Sequence, residues 1–245
     1  MSRSCLVVLT DNLYIPGTLR LLESWQQHNP VLPIVALSRD ARVLEDSYLA
    51  RLASQRHRIE TNSYADISPY KKSRSKRHAE TFYKFEAFAD FGFERNIYLD
   101  SDILCLRPAP LLIGSSPHAL LAALDTGFKS TRGYKGHPNE INSGVLSIHK
   151  SIQGPQTIEQ LKIIARDNPG RSGYNSGDQG ILNKWIHRHK IDLGVLPPEY
   201  NLIKKDYADT SGLTDCRLLH YCDRKPWFPQ TGERSKIEDL WNTSR

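Results

Sequence analysis

The sequence predicts an α/β protein with a mixed, mostly parallel central sheet flanked by helices, and three observations carry that reading. Short apolar, β-branched runs alternate with longer stretches of helical spacing from Cys5 onward. Polar, turn-forming residues separate the runs. No repeat, linker or low-complexity tract interrupts the alternation, so residues 1–245 read as one domain. In open sheets of this kind, ligands bind beyond the carboxyl ends of the strands. The residues that follow each apolar run are therefore the ones to weigh.

Cys5-Leu6-Val7-Val8-Leu9-Thr10 reads as a fully buried strand, followed by the polar turn Asp11-Asn12. A helix is expected from Pro16, a favourable first-turn residue, to Gln27, with Leu19, Leu22 and Trp25 on its inner face. Pro33 to Ser38 predicts a second strand, Ala41 to Ala53 a second helix, and Arg58-Ile59-Glu60 a third strand. Glu80 to Phe91 predicts a helix that carries Lys84, with Phe82, Phe85 and Phe91 available for packing. Asn96 to Leu99 is an apolar run that ends in Asp100-Ser101-Asp102. Leu106 to Pro110 breaks regular structure, and Ala119 to Leu124 reads as a buried strand ending at Asp125. Gly127 to Asn139 is glycine-rich and polar, a loop by composition. Ile141 to Ile148 is a strand with polar residues at its mouth, and Ile158 to Ala165 is helical in pattern. Gly177-Asp178-Gln179-Gly180 opens another helix, with Ser176 or Asp178 near its N-cap. Leu218-Leu219-His220 is a final short strand, and residues 228–245 form a tail.

An apolar fraction of 39% and a charged fraction of 24% are ordinary for a soluble globular protein. No apolar run reaches the length of a membrane span, and the N-terminal run is too short for a signal peptide, so a cytoplasmic location is expected. The four cysteines, Cys5, Cys105, Cys216 and Cys222, show no Cys-x-x-Cys spacing and read as reduced thiols. Much of the net charge of +6 sits in one cluster, Lys71, Lys72, Arg74, Lys76, Arg77 and His78. It reads either as a solvated loop or as a surface for an acidic acceptor or for peripheral contact with an anionic membrane. Aromatic residues are not interleaved through it, which weighs against nucleic acid as a partner.

The Asp100-Ser101-Asp102 stretch carries the most chemistry. In a strand, alternation would put both carboxylates on one face, where they repel and resist desolvation. A divalent cation relieves that cost, and hard oxygen ligands suit magnesium or manganese, with a diphosphate as the natural partner. The plainer reading is a strand that simply ends in two solvated acids. A phosphatase of the haloacid dehalogenase type also uses a strand-borne Asp-x-Asp, but wants Thr or Val where Leu104 stands. The tripeptide alone does not choose among these.

Several separated pieces do choose when they are taken in order. Leu9-Thr10, Lys84, Tyr98 to Asp102, Asn142-Ser143-Gly144, Gly177 to Gly180, and His220 followed by Lys225-Pro226-Trp227 occur in sequence along nearly the whole chain, from about Cys5 to Trp227. The set resembles glycosyltransferase family 8, which contains glycogenin and bacterial lipopolysaccharide galactosyl- and glucosyltransferases. The resemblance implies a GT-A fold, a single Rossmann-like domain. It also implies retaining transfer of a hexose, glucose, galactose or N-acetylglucosamine, from a UDP-sugar to a saccharide, glycolipid or protein hydroxyl.

Carried over by position, the resemblance implies Asp100, Asp102 and His220 as metal ligands, with Mn2+ favoured over Mg2+ by the imidazole. It implies Leu9, Thr10, Asn12, Tyr14, Lys84, Asp100, Ser101 and Lys225 around the nucleotide. Asp125, Asn142, Asp178, Gln179 and Lys84 fall around the donor sugar. Gln179 and Asp178 are the candidate catalytic residues. Gln179 occupies the place where double displacement would need a carboxylate, and an amide is a poor nucleophile. A front-face attack by the acceptor beside departing UDP is therefore favoured over a covalent intermediate on Asp178.

One departure stands out. The family pattern His-x-x-Gly-x-x-Lys-Pro-Trp is one residue shorter here and lacks the glycine, in whose place Asp223 brings a negative charge that Arg224 can offset. This motivates a UDP-sugar-binding protein with weak catalysis as one alternative. A sugar-phosphate nucleotidyltransferase is another, although Thr10-Asp11-Asn12-Leu13 is not the glycine-rich basic loop it would want. Tyr207, shortly after Tyr200-Asn201, lies roughly where glycogenin carries its acceptor tyrosine.

Overall fold

The computed structural model describes residues 3–45, 47–67, 80–125, 140–167, 177–204, 207, 209–222, 224–229 and 235–243. The basic cluster at 71–78, the loop at 127–139, Ser176 and Asp223 lie outside the described residues. Strands β1 (Ser4–Leu9), β2 (Ile34–Ser38), β3 (Gln55–Arg58), β4 (Arg95–Leu99), β6 (Leu120–Leu124), β7 (Ile141–His149) and β8 (Leu193–Leu196) form a seven-stranded sheet in the order β3-β2-β1-β4-β7-β6-β8. β1, β2, β3 and β4 run parallel, β7 is antiparallel to both of its neighbours, and β8 is parallel to β6. Strands β5 (Ile103–Cys105), β9 (Leu202–Ile203) and β10 (Leu218–His220) form a second, three-stranded sheet in the order β5-β10-β9. Among the described residues no helix is long and apolar enough to cross a membrane.

The alternation of β1 divides the apolar interior in two. Cys5 and Val7 pack with Tyr98, Phe82, Phe85 and Trp185 on one face of the main sheet. Leu6 and Val8 pack with Leu21, Leu22 and Trp25 of the Ile15–His28 helix on the other. Leu21 is thus a core residue that the predicted stripe omitted, while Leu19 is only half-buried. A third cluster joins Leu104, Leu219 and Tyr221 to Ile237 and Trp241 of a C-terminal helix, Lys236–Thr243. The predicted tail therefore holds a helix.

Other expectations shift. Of the helix expected over 41–53, Ala41–Glu45 and Ser47–Leu52 are helical, and residue 46 lies outside the described residues. The third strand lies earlier than Arg58–Glu60, because it is a polar edge strand, Gln-Arg-His-Arg, and Ile59 is a core residue just beyond it. The segment predicted as an α-helix over 80–91 is a 3₁₀ helix, Glu80–Phe88. Three residues per turn explain why: Phe82, Phe85 and Phe88 then form one fully buried stripe, and Thr81, Lys84 and Ala87 fall on an adjacent one.

Glu86 fastens this segment from its other side. It accepts from the Tyr64 hydroxyl at 2.6 Å and lies 3.4 Å from His57 Nε2 and 3.8 Å from Lys162 Nζ. Burial pushes its pKa up, but His57, Tyr64 and Lys162 more than offset this, and the carboxyl is held below its ordinary value. Its stabilising contribution is therefore present above the unfolded carboxylate range and is lost as pH falls through the lowered folded value. Glu86→Gln is expected to cost about 1–2 kcal/mol near neutral pH, and the deficit should shrink steadily below about pH 4.5. Urea unfolding midpoints of both proteins across that range check it; a constant deficit would rule this account out.

Candidate active site

The acidic pair does not sit on a strand. β4 ends at Leu99, and Asp100 to Ile103 is a tight turn closed by the Ile103 N–H on the Asp100 carbonyl at 3.1 Å. The turn, not strand alternation, brings the two carboxylates to one side. It is pinned from all directions: the Asp100 N–H donates to Gly144 O at 2.9 Å, and Tyr221 N–H donates to Asp102 O at 2.9 Å. Ser101 donates to Leu9 O at 2.6 Å and accepts from the Thr18 hydroxyl at 2.9 Å, so its hydroxyl is engaged with the protein. Beyond the turn the chain leaves the main sheet as β5. Antiparallel pairing of β5 with β10 sets His220 opposite Ile103, next to Asp102.

That register brings a residue 118 positions away from Asp102 into the cluster. His220 Nε2 lies 3.2 Å from Asp102 Oδ1 and 3.6 Å from Asp100 Oδ2. Ligand atoms of Asp100, Asp102 and His220 all lie within 4.8 Å of one another, so the three could hold a metal ion. Two carboxylates and an imidazole are a fitting donor set for manganese or magnesium. The surroundings are shaped to it: a Cβ at Gly144 would collide with the His220 ring and come within 3.0 Å of Asp100 Oδ2.

Cations from elsewhere in the chain balance these acids. Lys84 Nζ reaches Asp178 Oδ2 at 2.7 Å, Ser143 Oγ at 3.0 Å and Asp100 Oδ1 at 3.1 Å, which uses all three of its donors. Burial would lower the Lys84 pKa, but Asp100 and Asp178 raise it above the ordinary value. Burial likewise opposes ionisation of Asp178, yet Lys84, Ser143 and Thr81 hold its carboxyl low. Asp178 is the first residue of the helix Asp178–His189, with Gly177 in the cap position, so it faces the cavity instead of capping. Lys225 Nζ bonds Asp102 Oδ2 and donates to Tyr221 O at 3.2 Å. Burial pushes the Asp102 pKa up, and Lys225 and His220 pull it well below. The shortened segment after His220 therefore still delivers its lysine.

The residues expected around the donor sugar cluster behind Lys84. Gln179 donates through Nε2 to Asp125 Oδ2 at 2.7 Å and to Glu140 Oε1 at 3.3 Å, while its Oε1 lies 3.4 Å from the Ser143 N–H. Glu140, which no motif marked, is thus a buried carboxylate on the candidate catalytic amide. The predicted residues around a cavity of about 350 Å³ are Leu9, Thr10, Tyr14, Lys84, Asp100, Ser101, Asp102, Asn142, Asp178, Gln179, His220 and Lys225. Asn12 is not among them; its amide donates to Asp40 at 3.1 Å. Asp125 stands behind Gln179. Tyr14 is edge-on to Trp227, 5.6 Å between ring centres. Tyr207 packs with the C-terminal apolar cluster instead of lining the cavity.

A mixed α/β sheet with an Asp-x-Asp turn and convergent cations at its strand ends is the architecture of a GT-A glycosyltransferase. Solved structures of glycosyltransferases superpose on it. It superposes on the glycosyltransferase GlyE of Streptococcus pneumoniae TIGR4 with a TM-score of 0.67 and 21% identity, covering 98% of this chain and 59% of that one. It superposes on the galactosyltransferase LgtC, solved with donor and acceptor sugar analogues, with a TM-score of 0.67 and 18% identity, covering 91% and 89%. A glycogenin of Cryptococcus neoformans var. grubii is 33% identical over 104 residues, 38% of this chain but 10% of that protein. The profile described as Glycosyl transferase family 8 matches residues 5–231, and the chain belongs to that family.

The charge balance yields a direct test. Lys84→Met leaves Asp178 buried without its cation and is expected to lower stability by about 3–5 kcal/mol. Adding Asp178→Asn should recover a large part of that loss. Guanidinium unfolding of the single and double variants checks it, and simple additivity would contradict the pairing.

Proposed function

We propose that this chain is one catalytic unit, a manganese-dependent retaining hexosyltransferase that moves glucose, galactose or N-acetylglucosamine from a UDP-sugar to a saccharide, glycolipid or protein hydroxyl. The observation that carries this reading is the meeting of Asp100 and Asp102, on the turn that joins the two sheets, with His220 on β10. Asp100, Asp102 and His220 would hold a cation, which would supply positive charge to the diphosphate of the donor. Magnesium would serve the oxygens, and the imidazole favours manganese. Lys225 and Lys84 are the chain's own cations for the phosphates and adjoining donor groups. Leu9, Thr10 and Tyr14 form the wall for the uridine, and Asn142, Asp178 and Gln179 offer paired donors and acceptors to sugar hydroxyls. The basic cluster at 71–78 is the segment to meet an acidic acceptor or an anionic membrane surface from the cytoplasmic side.

Retention follows most simply by a front-face path. The acceptor oxygen bonds to the anomeric carbon on the side that UDP leaves, the carbon–oxygen bond to UDP breaks, and the acceptor proton passes to a phosphate oxygen. Asp178 is a poor candidate for a covalent intermediate, because Lys84 and Ser143 already bind its carboxylate. Gln179 is held in place by two carboxylates and can steady the sugar without bonding to it.

Incubation with each of the three UDP-hexoses and Mn2+, without acceptor, should release UDP slowly from one of them. EDTA should abolish the release, and Asp102→Asn should reduce it by about 100-fold or more. Pyrophosphate-dependent nucleotide exchange, or tight UDP binding with no turnover, would overturn the assignment. Intact-mass measurement of Asp178→Asn and Gln179→Ala with donor should show no adduct; a glycosylated protein would refute the front-face path.

A further inference from the structure

We propose that Asn201 is a positioning residue that ties the sugar side of the cavity to His220, through a relay whose direction is fixed by one backbone N–H. The inference rests on the reading of Asp100, Asp102 and His220 as a cation site.

The Gly144 N–H donates to Asn142 Oδ1 at 2.9 Å. A backbone N–H only donates, so the atom facing it must be the amide oxygen of Asn142. Asn201 meets that same oxygen at 2.8 Å and must present its NH2 group there. Its own Oδ1 is thereby turned to His220 Nδ1, 3.0 Å away, and this nitrogen must carry a proton. Nε2 is left as the nitrogen facing Asp102 and Asp100, where a lone pair is needed for a metal. Turning any one amide over would set oxygen against oxygen or nitrogen against nitrogen further along.

Asn142, Asn201 and His220 are 4%, 2% and 4% exposed, so their mutual hydrogen bonds are buried and the loss of one partner leaves a costly unpaired group. The fold fixes its spacing. Asn201 directly precedes β9, which pairs in parallel with β10 so that Ile203 is opposite His220. Asn142, with its oxygen doubly used, has its NH2 left to offer to the cavity that it lines. A donor sugar that accepts from that NH2 reinforces the orientation that points His220 Nε2 at the cation. Sugar and cation binding thus favour each other, and by equal factors.

The test uses Mn2+ alone, titrated into the full chain and followed by the electron paramagnetic resonance of the free ion. Asn201→Ala removes the acceptor for His220 and is expected to weaken Mn2+ binding by about 10–100-fold. Asn201→Asp keeps an acceptor for His220 but sets a second oxygen against Asn142. Its Mn2+ affinity should stay within about threefold of the parent, or rise, because carboxylates are natural partners of metal-bound imidazoles. In the same variant the preference for UDP-sugar over UDP, measured calorimetrically with whichever of the three UDP-hexoses the parent binds most tightly, should fall by about tenfold. An Asn201→Ala protein that binds Mn2+ like the parent overturns the relay. So does an Asn201→Asp protein that loses Mn2+ as badly as Asn201→Ala, or one with an unchanged preference for the sugar. A parent chain that takes up no Mn2+ would instead remove the cation site itself, and the relay with it.

Discussion

Compensation of carboxylates drawn out of water is the constraint on which the structure depends. Asp100, Asp102 and Asp178 converge at the rim where β4 and β7 meet, and Asp102 and Asp178 are buried. Isolated carboxylates in such a place would be costly or would take up protons. Each instead faces a cation from another part of the chain: Lys84 from the 3₁₀ segment, Lys225 from beyond β10, and His220 on β10 itself. Burial opposes the charge on His220 and Lys225, yet neighbours raise both pKa values, with Cys222 and Asp102 acting on the imidazole and Asp102 on the lysine. The charge balance of the site is therefore made of contacts between segments far apart in the chain.

This arrangement links stability to chemistry. The chain's own cations and a divalent ion compete for the same carboxylate oxygens, so the groups that hold the rim together are also the ones able to exchange partners there. Such a rim needs a rigid backbone, and the turn at Asp100–Ile103 has one because Gly144, Tyr221, Leu9 and Thr18 all bond to it. Small residues matter at two of these contacts. A Cβ at Gly144 would occupy the space of the His220 ring, and one at Gly17 would press on the Ser101 carbonyl and on Trp227.

The segment that delivers Lys225 is supported from the C-terminal side. Tyr14 packs edge-on to Trp227, Trp227 lies 5.1 Å from Trp241, and Trp241 lies 5.1 Å from Tyr221. Arg20 adds a hydrogen bond to Trp241 O at 2.8 Å, and Lys204 pairs with Glu238 at 3.1 Å. The C-terminal helix is therefore part of what fixes the Tyr14 and Lys225 side of the cavity, although its sequence carries no motif.

Much of the architecture was legible because apolar runs and the acids behind them are local signals. β1, β4, β6 and β7, with Thr10, Asp100 and Asp125 just beyond the first three and Asn142 at the start of β7, follow from apolar runs and strand-end placement alone. The family motifs added His220 and Lys225 by order along the chain. Local pattern could not decide the rest. It took Asp100 and Asp102 for one strand face, whereas a turn orients them, because four distant groups hold that turn. It took the Lys84 segment for an α-helix, whereas packing of Phe82, Phe85 and Phe88 as one stripe selects the tighter 3₁₀ form. It passed over Glu140 and Asn201, whose importance lies wholly in what they touch. The sequence by itself determined which side chains bring charge and hydrogen-bonding capacity to the strand ends. Only the tertiary structure decided which of them meet, because a register such as His220 opposite Ile103 is set by packing between segments far apart in the chain.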